Sequence, residues 1–151
     1  INDDHAGIAR LVLTTADSLD REAFDEWLSL FAPEGVYELN AYGTEIRQTM
    51  SWWRADTTLL AQQIGTVKQH VRDPARRRHL LGAPMISVDG DHAHASTNLA
   101  LYRTTPDGHS SLYLVGRYED DLQRLNGLWR YRLHRVECDT RMLDMFTHVP
   151  V

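Results

Sequence analysis

Apolar residues recur at helical spacing along the first part of the chain. In residues 4–19 they fall three and four positions apart, which predicts an amphipathic helix with one apolar face. That face consists of Ile8, Leu11, Val12, Thr15 and Leu19. A second helix is predicted directly after it, capped by Asp20 and ended by Pro33, because proline cannot continue a helix. Its buried face would hold Phe24, Trp27, Leu28 and Phe31.

The middle of the chain predicts a short strand and a long third helix. Residues 34–41 alternate imperfectly between apolar and polar side chains, which favours a strand, and Gly43 then breaks it. Ser51 is a suitable N-cap for the third helix, and Asp73-Pro74 would stop it. The apolar face of that helix would consist of Leu60, Ile64, Val67 and Val71, with Gly65 weakening its middle.

Alternating segments in the second half predict two β-hairpins in succession. They cover residues 77–88, 92–104, 110–123 and 128–137. Asn126-Gly127 suits the two-residue turn in which both central residues have positive φ. Pro84 predicts a sheet edge or a bulge in the first segment, since proline cannot donate to the ladder. In the last segment, one predicted face holds Trp129, Tyr131 and Leu133, and the other holds Arg130, Arg132 and His134.

This order of elements predicts an α+β fold, with helices segregated to one face of a mainly antiparallel sheet. Three N-terminal helices packed across the concave side of a strongly bent sheet would form a cone with an internal cavity. No shift in composition divides the chain, so we interpret residues 1–151 as a single domain.

Composition narrows the class of function. Cys138 is the only cysteine, which excludes a disulfide within the chain and favours a reducing compartment such as the cytoplasm. The formal net charge of −5 lacks the basic footprint of nucleic-acid binding. No apolar run reaches the length of a membrane span, so the sequence predicts no membrane contact.

His79 is the first candidate for a catalytic residue. It lies at the start of the sheet, shortly after the predicted third helix ends, so its side chain could enter the cone. Asp17, Asp25, Tyr37 or His134 would then complete a pocket for general acid–base chemistry. The plainer interpretation, which we favour, is a core histidine bonded to a carboxylate or to the backbone.

The other reactive side chains favour structural roles. His92 and His94 flank a turn with Asp89 and Asp91, and a solvated hairpin end accounts for them better than a metal site. Cys138 has no partner cysteine, and a small buried apolar residue is its plainer interpretation.

Two apolar features predict contacts with another chain. Trp52 and Trp53 are adjacent in the predicted third helix and would point about 100° apart, so at least one should lie outside the core. The apolar tail, which includes Phe146 and Val149, should dock either on a partner or on the chain's own sheet.

A basic cluster adds a third candidate contact. Arg76, Arg77 and Arg78 are consecutive, and guanidinium groups suit ion pairs at an interface. A solvated corner of the surface is the plainer interpretation of the same three residues.

Four stretches carry a resemblance to a known family. They are residues 19–28 (LDREAFDEWL), 50–53 (MSWW), 73–81 (DPARRRHLL), and a group in the last two strands at 116–122 (GRYEDDL), 127–130 (GLWR) and 135–139 (RVECD). In this order and spacing the chain resembles the small (β) subunit of aromatic-ring-hydroxylating dioxygenases, within the NTF2-like (SnoaL-like, cystatin-like) cone superfamily. The resemblance covers nearly the whole chain.

The resemblance implies a structural subunit of an oxidoreductase complex. In this family the large (α) subunit carries a Rieske [2Fe-2S] cluster and a mononuclear Fe(II), and the assembly has three large and three small subunits. This chain would then hold no cofactor, metal or catalytic residue, and would form a trimer with itself. A single cysteine agrees, because a Rieske centre needs two cysteines and two histidines.

Two finer implications remain. The ending from Cys138 onward resembles subunits paired with benzoate, terephthalate or salicylate oxygenases, which implies an aromatic carboxylate as substrate of the complex. The alternative function is a stand-alone dehydratase or isomerase of the same cone fold, in which His79 acts with Asp17 or Asp25.

Overall fold

A computed structural model describes residues 3–43, 47–67, 73–140 and 149–151 of the chain. Its helices are α1 (Asp3–Asp20), α2 (Phe24–Leu28) and α3 (Thr57–Val67). Its strands are β1 (Phe31–Gly43), β2 (Gln48–Asp56), β3 (Arg76–Leu81), β4 (Met85–Asp89), β5 (His92–Thr104), β6 (Ser110–Leu125) and β7 (Leu128–Cys138). Within this part of the chain, no helix is long and apolar enough to cross a membrane.

The strands form one curved, mixed sheet that the helices cover on one side. Its order is β2-β1-β7-β6-β5-β3, and β4 pairs with β5 beside β3. The β1–β7 pair is parallel and the other pairs are antiparallel. α1 packs on β3, β4 and β7, while α3 packs on β1 and β2. The predicted α+β cone, with helices on a bent and mainly antiparallel sheet, is therefore confirmed.

The first predicted helix is confirmed as α1. The predicted apolar face is buried from Ile8 to Leu19, which holds the helix against the sheet. The helix ends in a turn where Glu22 takes a positive φ of 57°, and the Ala23 amide donates to the Ser18 carbonyl at 2.8 Å. That turn supplies hydrogen-bond donors to the last carbonyl groups of the helix and redirects the chain into α2.

The second predicted helix is shorter than expected. α2 buries Phe24 and Trp27 as predicted, but it ends at Leu28, and Phe31 already belongs to β1. Pro33 therefore does not end the helix. It lies in the irregular stretch of β1 between Phe31 and Val36, where the ladder to β7 is interrupted and a missing donor costs nothing.

The start of the third predicted helix was wrong. Residues from Gln48 to Asp56 form β2, which pairs antiparallel with β1, so Ser51 is a strand residue and not an N-cap. The helix α3 starts only after Asp56, whose carboxylate accepts a hydrogen bond of 2.9 Å from the Leu59 amide. Aromatic and β-branched side chains suit a pleated surface, and pairing with β1 outweighed the local helical pattern. Leu60 and Ile64 are buried as predicted.

The predicted strand 77–88 is two strands. β3 ends at Leu81 and β4 begins at Met85, and both pair with β5. Pro84 lies between them, so the proline interrupts the strand where the sequence predicts an edge or a bulge. The other predicted strands correspond to β5, β6 and β7 within two residues at each end.

The predicted facing of β7 holds only for its first half. Tyr131 pairs with Leu122 and Leu133 with Asp121, which leaves Arg132 as an extra residue in a β-bulge. Beyond the bulge the alternation is reversed. His134 is therefore fully buried, whereas the sequence places it on the outer face with the arginines.

An ion pair fixes the entry to β3 and gives a pH-dependent prediction. Arg103 Nε and Nη2 each lie 2.6 Å from the Asp73 carboxylate, whose side chain is 9% exposed. These hydrogen bonds lower the pKa of Asp73 below its ordinary value of 3.8. We expect Asp73→Asn to lower the free energy of unfolding by about 1–2 kcal/mol at neutral pH.

The loss of unfolding free energy in Asp73→Asn should depend on pH. A carboxyl whose pKa is lowered by folding stabilises the protein above pH 3.8, and this contribution disappears as the pH falls through the folded pKa. Urea unfolding of wild type and Asp73→Asn should therefore converge in acid. Asp17→Asn is the matched control, because its ion pair with Arg21 is exposed and should contribute less than about 0.5 kcal/mol. A constant difference between wild type and Asp73→Asn at every pH would contradict the prediction.

Candidate functional site

Aromatic side chains from three neighbouring strands line the inner face of the cone. Tyr37 on β1, Tyr118 on β6 and Tyr131 on β7 are fully buried. Trp27 from α2 packs edge-on against Tyr37, with ring centroids 5.3 Å apart. The Tyr131 hydroxyl lies 2.6 Å from Thr15 Oγ1, which joins α1 to the sheet. The helices are thus held on the sheet by aromatic packing and by specific polar contacts.

A buried histidine–aspartate pair lies among these rings. His134 Nδ1 is 2.5 Å from Asp120 Oδ1, and neither side chain is exposed. The ring centroids of Tyr118 and Tyr131 lie 4.6 and 4.5 Å from the centroid of the imidazole. Burial raises the pKa of the Asp120 carboxyl, and the neighbouring His134 opposes that rise. The pair can share a proton, but its complete burial makes it part of the core.

Three polar atoms of this cluster have no hydrogen-bond partner among the described residues. They are His134 Nε2, Asp120 Oδ2 and the Tyr118 hydroxyl oxygen. Buried polar atoms are usually hydrogen-bonded, so this cluster is an exception to the rule in the core. Burial holds the pKa of the Tyr118 hydroxyl well above its ordinary value, which keeps that group protonated.

The predicted catalytic candidate His79 is a buried, bonded histidine. Its Nδ1 lies 2.6 Å from Asp20 Oδ1, and its backbone amide donates to the same carboxylate at 3.1 Å. Asp17 bonds Arg21 instead, and Asp25 is exposed in the first turn of α2. Asp20 is therefore not the N-cap that the sequence predicts, because it is the last residue of α1 and its carboxylate serves β3.

The remaining members of the predicted pocket, Tyr37 and His134, contact each other, with ring centroids 5.9 Å apart. The Tyr37 hydroxyl accepts a hydrogen bond of 3.1 Å from the Val151 amide. Burial, the largest influence, raises the pKa of Tyr37, so this hydroxyl stays neutral. His134 pairs with Asp120 as described above. The structure thus joins His79 to Asp20 and His134 to Asp120, and it joins neither histidine to Asp17 or Asp25.

A cleft of about 840 Å³ opens between the end of α1 and the start of β3. The three predicted interface arginines line it together with His79 and with Val149 of the tail. The Arg77 guanidinium lies 4.8 Å above the Tyr113 ring, so this arginine is also held by an aromatic face. Acidic side chains from the end of α1 also line the cleft, so it carries both signs of charge.

The described end of the tail packs on the chain itself. Val151 is fully buried and Val149 packs against the core, which agrees with docking on the chain's own sheet. Phe146, the other predicted contact residue of the tail, lies outside the described residues.

The tryptophan pair lies on a strand, contrary to the predicted helix. Trp53 pairs with Leu39 of β1, and Trp52 is the extra residue of a bulge beside it. The Trp53 indole donates to Gln63 Oε1 at 2.8 Å and packs edge-on against Tyr37. Both tryptophans are half-buried and pack against the core, so each retains only part of its surface for a partner.

Metal-ligating side chains do not converge in the part of the chain that the structure describes. That part contains no group of three histidine, cysteine or carboxylate residues placed to hold a metal ion. His94 lies between Glu119 and Asp121, with its ring nitrogens 3.0 and 3.2 Å from their carboxylates. Cys138 is buried, and desolvation raises the pKa of its thiol to about 12, as expected for an unreactive cysteine.

Sequence reasoning missed Asp20 and Asp120, the two carboxylates that bond the buried histidines. Asp120 alternates with Tyr118 and Leu122 along β6, so a charged residue in an inward position was a readable signal. Asp20 carried no such signal, because its partner His79 is 59 residues further along the chain.

Comparison with known proteins places this cone in a family. Residues 2–135 match the model of the SnoaL-like domain. The chain is 30% identical over 149 residues to the 2-aminobenzenesulfonate 2,3-dioxygenase subunit beta of Alcaligenes sp, covering 98% of this chain and 99% of that one. It is 27% identical to the methanesulfonate monooxygenase hydroxylase subunit beta of Methylosulfonomonas methylovora, over 88% and 79% of the two chains.

A solved structure agrees in fold. The beta subunit of a candidate aromatic-ring-hydroxylating dioxygenase from Novosphingobium aromaticivorans superimposes with a TM-score of 0.87 at 20% identity, covering 98% of this chain and 97% of that one. The fold is thus a SnoaL-like α+β cone. Within that fold the chain belongs to the β subunits of aromatic-ring-hydroxylating dioxygenases, and so to an oxidoreductase complex.

Proposed function

We propose that this chain is the non-catalytic, structural small subunit of a multicomponent aromatic-ring-hydroxylating dioxygenase. The observation that carries the proposal is the end-to-end match with a named β subunit, at 98% and 99% coverage. The interior supports it, because both histidines suited to acid–base chemistry are buried and bonded to carboxylates. As a structural subunit, the whole chain would act as one domain in the cytoplasm.

The cofactors of the proposed complex belong to its large subunit. A Rieske cluster needs two cysteines, and this chain has one. The described residues also lack a metal-binding group, so they do not fit a mononuclear iron. Both the cluster and the iron would therefore be held by the large subunit, and no step of the reaction is assigned to this chain.

The substrate of the proposed complex is an aromatic acid. The resemblance of the sequence points to a carboxylate, and one relative acts by name on 2-aminobenzenesulfonate. Carboxylates and sulfonates share an anionic group on or near the ring. We propose an aromatic substrate of this anionic class, bound by the large subunit.

The proposed assembly contains three large and three small subunits. The small subunits would form a trimer, for which the half-buried tryptophans, the arginine cluster and the tail remain candidate contacts. Closed rotational symmetry needs two different faces on each chain, and these candidates lie on different elements.

Co-expression tests the proposal directly. The partner is the neighbouring reading frame that encodes a protein with the two cysteines and two histidines of a Rieske centre. We expect the tagged chain to recover that large subunit in equal amounts, with the Rieske signal in electron paramagnetic resonance and with activity on aromatic acids. The isolated chain should contain no stoichiometric iron and show no turnover.

A finding that the chain is a stand-alone dehydratase or isomerase would contradict the proposal. It would appear as activity of the isolated chain that disappears in His79→Ala. The structure does not favour it, because His79 is bonded to Asp20 and not to Asp17 or Asp25.

A further inference from the structure

An apolar patch crosses three strands on the outer face of the sheet. Arg78 of β3 pairs with Tyr102 of β5, and Tyr102 pairs with Leu112 of β6. The next row holds Leu80, Ala100 and Val115 in the same way. We call the five apolar residues Leu80, Ala100, Tyr102, Leu112 and Val115 the outer patch.

The outer patch exists because of a bulge in β6. Leu101 pairs with Leu114 and Tyr102 with Leu112, so Tyr113 is an extra residue. The bulge turns Leu112 outward although Leu114, two residues on, is fully buried. Leu80, Tyr102 and Leu112 are 53%, 37% and 53% exposed, and large apolar groups that adjoin on a surface usually mark a binding face.

One border of the outer patch is basic. Arg76 and Arg78 alternate along β3 with Arg77 and the buried His79, and both are exposed. Neither has an ion-pair partner among the described residues, whereas Arg117 at the opposite border bonds Asn98 and Glu119. A partner that covers the patch must therefore bring carboxylates to the β3 side, because arginine forks bind carboxylates with good geometry.

A second copy of this chain does not offer the matching surface within its described residues. A two-fold contact of the patch with itself would supply no carboxylate from the patch to Arg76 and Arg78, because none of its five residues is acidic. The other large exposed apolar side chains are scattered over five different elements. They are Leu13, Tyr42, Leu59, Met85 and Leu128. The groove beside Leu13 on α1 has Arg10 in its lining, which would repel the basic border.

We infer that the outer patch is the docking surface for the large subunit of the oxygenase, through an apolar segment of that subunit bordered by carboxylates. This inference rests on the proposed function, since it requires a large subunit. Leu112 and Tyr102 fill the centre of the contact, and Arg76 and Arg78 pair with acidic side chains at its border. This assigns these two arginines to the large subunit, and it leaves the tryptophans and the tail as candidate contacts between small subunits. Tyrosine and arginine are among the residues that most often carry the binding free energy of an interface.

The test uses the co-expressed complex with two variants of the patch and two matched controls. Leu112→Asp and Arg78→Glu alter the patch. Leu13→Asp and Arg10→Glu make the same changes on the outer face of α1, where Leu13 is 58% exposed. All four sites are exposed, so circular dichroism and the melting temperature should stay close to wild type.

We expect each patch variant to recover at least tenfold less large subunit than wild type, while both control variants recover it normally. The tenfold loss corresponds to about 1.4 kcal/mol of binding free energy. Raised salt should weaken the wild-type complex and have less effect on Arg78→Glu, because the lost contact is an ion pair. If one patch variant does not fold, the other still decides the result.

Other outcomes would overturn the inference in distinguishable ways. Failure of wild type to recover any large subunit would refute the proposed function itself. Normal recovery by both patch variants would refute the docking surface and leave the function standing. Patch variants that keep the large subunit but lose the self-association of the isolated chain, by light scattering, would assign the patch to a second copy. Equal losses in the α1 controls would also refute it.

Discussion

Replacing His134 with alanine should lower the free energy of unfolding by about 3–5 kcal/mol. The imidazole is the bonded partner of Asp120 in a site where neither side chain is exposed. Its removal leaves a carboxylate in the core with Oδ2 already unpartnered among the described residues. Urea unfolding of the purified chain, followed by tryptophan fluorescence, measures the loss.

The pH dependence identifies the cause of that loss. Burial raises the pKa of Asp120, and His134 is the largest opposing influence. In His134→Ala this opposition is gone and the folded pKa rises further. A carboxyl with a raised folded pKa favours folding at low pH and loses that advantage as the pH rises through the folded pKa. The deficit of the variant should therefore grow from acid towards neutral pH.

An apolar replacement of both partners provides the control. Buried ion pairs contribute little when both members are exchanged for apolar groups of similar size. Asp120→Leu combined with His134→Phe should therefore recover most of the stability lost in His134→Ala. A double variant as unstable as the single one would show that packing, and not the unpaired carboxyl, is the cause. A loss below about 1 kcal/mol in His134→Ala would contradict the prediction outright.

Replacing Gly116 with alanine should destabilise the sheet by about 2–3 kcal/mol. A Cβ at this position would overlap the Glu137 carbonyl oxygen and lie 3.1 Å from the Cys138 Cα, both on the neighbouring strand β7. Backbone atoms cannot rotate away as a side chain can. The β6–β7 pairing must therefore open locally to accept the methyl group.

Gly65→Ala is the matched control, because it adds the same methyl group in α3. A Cβ there would meet nothing within 4 Å. Alanine is the better helix former, so this variant should be about 0.5–1 kcal/mol more stable than wild type. Thermal and urea unfolding of both variants test the pair of predictions together. If the two substitutions changed the free energy of unfolding equally, the close approach of β6 and β7 would not explain the effect of Gly116→Ala.

The errors of sequence reasoning have a common physical origin. The segment from Ser51 to Trp53 has a local pattern that predicts a helix, but its pairing with β1 decided that it is a strand. The bulges at Arg132 and Tyr113 reversed the facing of His134 and Leu112, and a bulge depends on the register of the neighbouring strand. Neither the pairing of strands nor the position of a bulge can be read from the alternation of residues along a single strand.

The candidate site also combines features that the local sequence predicts with features that depend on tertiary contacts. The sequence identified His79 as a histidine near the cone and favoured a bonded core residue, and the structure shows it bonded to a carboxylate. It could not identify Asp20 as the partner, because the two residues meet only when α1 packs on β3. The pair of His134 and Asp120 required both the antiparallel pairing of β6 with β7 and the bulge between them.

The sequence by itself determined the helix α1, the last three strands and the Asn126-Gly127 turn, and with them the α+β class. These features follow from periodicity and turn chemistry within short segments, where neighbours in the chain are also neighbours in space. Its motifs also carried the resemblance to β subunits, and its single cysteine excluded a Rieske cluster. Only the tertiary structure decided that β2 is a strand, which carboxylate meets each buried histidine, and that Leu112 joins an outer apolar patch. Each of these depends on contacts between residues distant in sequence, whose free energies are settled when the sheet pairs and the helices pack on it.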